Sequence, residues 1–236
     1  AALDIALTAR GSHGGEPISM GGVPVGAASA YLARLIRRGF RVAVAEQTEA
    51  PRKGKGAAKG PLARAVVRVV TPGTLTEDEL LEPGRSNLLL ALVGGATGTG
   101  KGRKGKATSA AAQPEDTLGA AWIDVSTGLF ETAQLSARNL AGLLGRLDPA
   151  EILAPPTLAL GDFEGCRAPD VLVPGIEAAR QRLASAFSVA SLDAFGTFTD
   201  EEAVAAALAV EYVQRSQAGK LPRLAHPSPQ TDGGIL

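Results

Sequence analysis

The chain has 236 residues, 45% hydrophobic and 20% charged, enough for one large domain or two small ones with a real core. No apolar run approaches the roughly 18–20 residues of a membrane span, no basic-then-apolar leader opens the sequence, and a single cysteine, Cys166, rules out an internal disulfide and fits a reduced, cytoplasmic setting. The formal net charge of zero divides unevenly: residues 1–110 carry 16 Lys+Arg against 8 Asp+Glu, net +8, and residues 111–236 carry the reverse, so the first half suits a polyanion such as nucleic acid.

In chain order, Leu3, Ile5 and Leu7 alternate with Asp4 and Ala6, as in an edge strand or the end of a longer element. Gly11 to Gly26 reads as a glycine-rich loop, with Pro17 and Pro24 fixing φ between the glycines. The spacing of Ala28, Tyr31, Leu32, Leu35 and Ile36 predicts one buried face of a helix. Arg34, Arg37 and Arg38 fall off that stripe, the last two beside the helix C-terminal dipole, and Gly39 is a natural left-handed stop. Phe40 to Ala45 alternates as a half-buried strand. Pro51 to Lys59 is a loop whose Arg52, Lys53, Lys55 and Lys59 either meet phosphate or are simply solvated. Leu62 to Val70 is a β-branched strand, Thr71-Pro72-Gly73-Thr74 a turn, and the acidic run Glu77 to Pro83 closes a first domain, residues 1–83.

A second domain, residues 86–217, opens on a buried strand, Asn87 to Val93. Gly94 to Asp116 has no periodicity and nothing to bury, so it is expected to be a disordered insertion. It supplies four of the first half's positives, at Lys101 to Lys106, and without them that half still stands at +4. Gly95 to Lys101 has the spacing of a P-loop, but Gly102 stands where Ser or Thr should hold magnesium; Gly100 to Gly105 fits a dinucleotide fingerprint by letters only, and no helix follows either. Leu118 to Val125 and Leu129 to Leu135 are strands about the turn Ser126-Thr127-Gly128. Ser136 to Leu147 is a helix, Glu151 to Ala154 and Val171 to Val173 short strands, and Ile176 to Phe187 a helix. Thr199 and Glu202 form a capping box for a helix reaching about Gln217, buried through Val204, Leu208 and Tyr212. Residues 218–236 are rich in Pro and Gly. The order of elements indicates a mixed-sheet α/β domain.

Five stretches of the first domain, Leu7–Gly11 (LTARG), Gly15–Pro24 (GEPISMGGVP), Tyr31–Leu35 (YLARL), Val42–Gln47 (VAVAEQ) and Arg68–Thr74 (RVVTPGT), follow one another in an order and spacing that resemble the mismatch-recognition domain of the MutS family of DNA mismatch-repair proteins. The resemblance spans nearly the whole chain. The family's Phe-Xaa-Glu wedge, which lies upstream of the match to Leu3–Leu7, is not in these 236 residues, and the chain opens on Ala-Ala-Leu, so a fragment lacking the front of that domain is expected. The resemblance implies two small mixed α/β domains: the truncated recognition domain, then an RNase H-like connector. Residues 218–236 would lead into the lever helices. It also implies a homodimeric, cytoplasmic parent protein that binds mispaired or looped double-stranded DNA. That parent couples binding to hydrolysis of ATP with Mg elsewhere in its chain and docks MutL through the connector. No catalytic residue, cofactor or metal is expected within this stretch.

Against that background Arg10 is the first candidate for a phosphate contact, with an ordinary surface arginine as the alternative. Met20 presents a soft apolar surface near a minor groove, or is a core methionine. Gly21 and Gly22 permit close approach of main chain to a duplex, or serve turn geometry alone. Lys59 and Arg64 are further phosphate candidates. Two readings of other classes stand beside this one. The connector is a protein-interaction module with no DNA binding of its own. Or Asp124, at a strand end, is the first carboxylate of a metal nuclease; but Asp148, Asp162 and Asp170 lie in apparent loops rather than at strand ends. His13 and His226 are read as loop residues, and two histidines with one cysteine argue against zinc.

Overall fold

The computed structural model describes residues 3–49, 62–76, 81, 84–94, 117–169 and 171–230. The basic loop Pro51–Lys59 lies outside these residues. So do all but Leu81 of Glu77–Pro83, all but Gly94 of the insertion Gly94–Asp116 with its two nucleotide-like motifs, and Asp170.

The chain opens on an antiparallel hairpin of β1 (Leu7–His13) and β2 (Glu16–Gly21). This corrects the expected loop. Gly14 and Gly15 form the two-residue turn with φ of +60° and +88°, both positive as a type I′ hairpin turn requires. Gly11, at φ +77°, lies within an irregularity between Ala9 and Ser12. The glycines thus serve one turn and one bulge. Of the expected strand Leu3–Leu7, only Leu7 joins the ladder.

Next comes α1 (Ala28–Arg37). It stops as the sequence predicts. Gly39 takes φ +78°, its N–H donates to the Ile36 carbonyl at 2.8 Å, and the Phe40 N–H donates to Leu35 at 3.1 Å, the two bonds of a Schellman motif. Its partner is an antiparallel ribbon of β3 (Val42–Gln47) and β4 (Arg64–Val70). The core between them is small: Ala33, Ile36, Val70 and Leu75, flanked by Leu32, Val42 and Val44. A two-stranded ribbon covers only a narrow stripe of helix, so Ala28, expected inside, is exposed and Ala33 is buried instead.

The larger body is a five-stranded sheet, in the order β8-β5-β6-β7-β9. Its strands are β5 (Leu88–Gly94), β6 (Thr117–Asp124), β7 (Leu129–Ser136), β8 (Glu151–Leu153) and β9 (Ser228–Pro229). The central three are antiparallel, β8 runs parallel to β5, and β9 parallel to β7. The apolar run of β5 is explained by cover on both faces. Leu89, Ala91 and Val93 face one core with α3 (Ile176–Ala186) and α4 (Asp200–Ser216). Leu88, Leu90 and Leu92 face another, with Trp122 and α2 (Leu140–Leu147). Each leucine so buried contributes roughly 1.5–3 kcal/mol relative to exposure.

The capping box forms as read: Thr199 Oγ1 accepts from the Glu202 N–H at 3.2 Å, and the Glu202 carboxylate accepts from the Thr199 N–H at 2.9 Å. Glu202 is buried and also accepts from Thr132 Oγ1 at 3.1 Å, which ties the start of α4 to the sheet. Val171–Val173, expected as a strand, is not one. The three-residue β8 offers too short an edge, which carries only a single bridge, Ile152 to Arg167, and Leu172 is 75% exposed. Residues 221–230, expected only as a lead-in, are strapped along β7. The Ala225 N–H donates to the Gly128 carbonyl and the Gln230 N–H to Thr132, both at 2.7 Å, and the His226 ring stacks on Phe195 at 4.3 Å.

Candidate nucleic-acid interface

Every residue of the β1–β2 hairpin is exposed, including Leu7, Ile18 and Met20. Leu7, Ile18 and Met20 are thus apolar side chains at the surface, outside the buried clusters of the described residues. Thr8 pairs with Met20 across the ladder, and its hydroxyl donates to the Met20 carbonyl at 3.1 Å. Arg10 lies two residues on, at the bulge. The hairpin therefore carries Arg10 and Met20 together, and Met20 is a surface residue, which removes the core alternative.

The two glycines differ. A Cβ on Gly21 would meet the Ile5 side chain at 2.8 Å, so its place is set by the chain folding back on itself. A Cβ on Gly22 would meet nothing within 4 Å, which leaves its main chain open to a partner. Arg64 opens β4 on the other ribbon, opposite Gln47, and is exposed. Lys59 lies outside the described residues. The fold thus gathers Arg10, Met20 and Gly21 on one hairpin, with Gly22 directly after it, and places Arg64 on another. Sequence reasoning missed Ile18, which alternates with Met20 along β2; that alternation was the available signal, hidden by reading the stretch as a loop. His13, read as a loop residue, is the last residue of β1, paired with Glu16.

The nuclease candidate resolves differently. Asp124 is 3% exposed and its carboxylate is occupied by the turn that follows. Oδ1 accepts from the Ser126 N–H at 2.9 Å, from Ser126 Oγ at 2.6 Å and from the Thr127 N–H at 3.3 Å, and Oδ2 accepts from the Asn87 N–H at 3.2 Å. Asp148 caps α2 in the left-handed region and pairs with Arg85 at 2.6 Å. Among the described residues, no three or more His, Cys, Asp and Glu side chains gather where they would hold a metal ion. Asp124 shapes a turn. Cys166 ends a short 3-10 turn and packs partly buried against the α2-side core, and that burial pushes its thiol above the ordinary range, toward the inert form.

Two family models match the chain: MutS domain I over residues 1–79 and MutS domain II over residues 107–227. The chain belongs to the MutS family. A DNA mismatch repair protein MutS from Granulibacter bethesdensis is 52% identical over the whole of this chain, which covers 23% of that relative. MutS proteins from Cereibacter sphaeroides and Paracoccus denitrificans are each 42% identical over the whole chain, which covers 25% of each. The chain therefore spans about a quarter of the length of the MutS relatives it matches. The β1–β2 hairpin, α1 and the β3–β4 ribbon fall within MutS domain I, and β6 to α4 within MutS domain II, the connector. Among the described residues no helix is long and apolar enough to cross a membrane.

Proposed function

We propose that this stretch of a MutS protein lays its first hairpin along the backbone of a DNA duplex while the connector holds and relays that placement. The observation that carries the reading is the fully exposed β1–β2 ribbon, which bears Arg10 and Met20, with the open main chain at Gly22 directly after it, in the part of the chain that matches domain I. Arg10 and Arg64 neutralise phosphates, and Met20 with Ile18 offers apolar contact to sugars and base edges. Lys59 joins them as a phosphate contact from the basic loop.

The domain limits proposed are 1–83 and 86–217, with 218–236 leading onward. The second is an RNase H-like body, supported by its antiparallel β5–β6–β7, the parallel β8 and helices on both faces. The whole protein binds mispaired or looped DNA as a cytoplasmic homodimer and recruits MutL through the connector. Its ATP and Mg bind outside this stretch, which performs no catalysis of its own.

Without a Phe-Xaa-Glu wedge in these residues, the 236-residue chain has no side chain suited to reading a mispair. Its binding is therefore weak, salt-sensitive and indifferent to mismatch. Fluorescence anisotropy with a labelled G·T duplex and its matched control tests this. Similar affinities that fall together as salt rises are expected. A clear preference for the G·T duplex at physiological salt, or no binding to either at low salt, overturns the reading.

A further inference from the structure

One buried carboxylate has no part in the surface described above. Glu151, the first residue of β8, is 3% exposed, and its bonds join segments about 80 residues apart in sequence. Its Oε2 accepts from Thr71 Oγ1 at 2.5 Å and from the Gly73 N–H at 3.0 Å, both in the 3-10 turn that ends the β3–β4 ribbon. Its Oε1 accepts from the Tyr212 hydroxyl of α4 at 2.5 Å. The turn is built to present these donors. The Thr71 N–H donates to Thr74 Oγ1 at 3.1 Å, and the two threonine hydroxyls lie 2.9 Å apart; with the Thr71 hydroxyl hydrogen directed at the carboxylate, Thr74 Oγ1 is the donor of that pair. Gly73 allows the approach, because a Cβ there would stand 2.8 Å from the Glu151 Cβ and 3.0 Å from Leu89 Cδ1. Asn87 adds a second tie, its Nδ2 donating to the Pro72 carbonyl at 2.9 Å.

On either side of this junction the two parts stand apart. One cleft of about 490 Å³ runs between the end of α1 (Arg37, Arg38) and Arg85, Asp148 and Cys166. Another, of about 270 Å³, is lined by Arg41 and Val69 on one wall and Tyr212 and Arg215 on the other. A narrow junction flanked by open clefts is a pivot. Packing of the buried Val70, Thr71, Gly73 and Thr74 against the connector joins the two parts, and the polar bonds made there bear on the angle between them. A carboxylate sharing donors from both sides fixes direction as well as distance, because each oxygen is aimed at a different partner.

We infer that Glu151 is a positioning residue whose carboxylate locks the Thr71–Thr74 turn onto the connector and so sets the angle at which the duplex-facing ribbons leave it. Its bearing on DNA rests on the function proposed above; the angle itself does not. The test therefore uses the whole chain and no DNA. In a Cys166→Ser background, exposed positions on two helices, Ala30→Cys on α1 and Ala141→Cys on α2, carry spin labels, and pulsed electron resonance gives their distance distribution. The parent and Thr71→Ser, which keeps the hydroxyl, should give one narrow peak. Thr71→Val and Glu151→Ala should broaden it at least twofold, with the helical circular dichroism of the connector unchanged. Thr132→Val removes a buried bond that lies within the connector, to Glu202, and should stay narrow. A Thr71→Val distribution as narrow as the parent's overturns the inference, and so does equal broadening in Thr132→Val. Should Glu151→Ala lose its helical signal, Thr71→Val decides alone; loss of that signal in both would make the role one of general stability and overturn the inference as well.

Discussion

Gly119 decides how α4 sits on the sheet. A Cβ built there would lie 2.2 Å from the carbonyl carbon of Glu201, a backbone atom that moves only if the helix moves. Gly119→Ala should therefore lift the start of α4 and loosen the Thr132–Glu202 bond, costing about 1–3 kcal/mol in the manner of an overpacked core. A urea midpoint by circular dichroism equal to the parent's would show that α4 does not rest there. Tyr212 makes a second prediction at the same scale. Burial first, and then the adjacent Glu151 carboxylate, push its phenol above the ordinary value of about 10. Above that pH the unfolded chain has lost a proton that the folded chain still holds, so the stability this group contributes is whole below about pH 10 and declines as pH rises toward the folded value. The urea midpoint should drop more between about pH 9 and about pH 11 in the parent than in Tyr212→Phe, which has no proton to lose there. Parallel declines in the two proteins would exclude the assignment.

At the scale of elements, local rules read well and distant ones did not. The box at Thr199 and Glu202 is a three-residue signal, and it forms as written. Thr199→Ala should cost about 1 kcal/mol and Thr199→Ser much less, measured as shifts in the thermal midpoint. An alanine variant as stable as the parent would mean that the sheet, not the cap, fixes the start of α4. The Gly39 stop and the apolar β5 were legible for the same reason, since each depends on its own neighbours or on burial on both faces. The first hairpin was misread because glycine content alone does not separate a loop from a ribbon whose glycines occupy the turn and the bulge. Val171–Val173 has strand-like residues but only a short edge to pair with, a fact that belongs to β8 and not to that stretch. The candidate surface followed this pattern. Arg10 and Met20 stand in family-like words, LTARG and GEPISMGGVP. Their meeting on one ladder, and the exposure of Ile18 beside them, depend on the register Thr8–Met20, which composition does not set. The tie between Thr71 and Glu151 was invisible, because no short-range rule connects residues 80 positions apart.

At the scale of the molecule, charge and architecture divide along the same line. Residues 1–83, with the two ribbons and α1, carry 11 Lys+Arg against 8 Asp+Glu, net +3, and residues 86–217, with most of the five-stranded sheet and the helices α2 to α4, carry 10 against 15, net −5. A duplex approaching this chain is drawn to the first and repelled by the second, over a range of about 10 Å at 0.1 M salt. Counterion release then makes a spatial prediction. Each phosphate that is no longer neutralised lowers the slope of log K against log salt by about 1. Arg10→Glu and Arg64→Glu should each weaken duplex binding and flatten that slope by about this amount, uniformly across sequences. Arg138→Glu, an exposed arginine at the entrance to α2, should leave the slope as it is. Met20→Ala should weaken binding without changing the slope, because an apolar side chain releases no counterion. If Arg138→Glu flattened the slope as much as Arg10→Glu, the duplex would have to touch the connector directly. The connector would then be a binding surface in its own right, and not the body from which the ribbons reach the DNA.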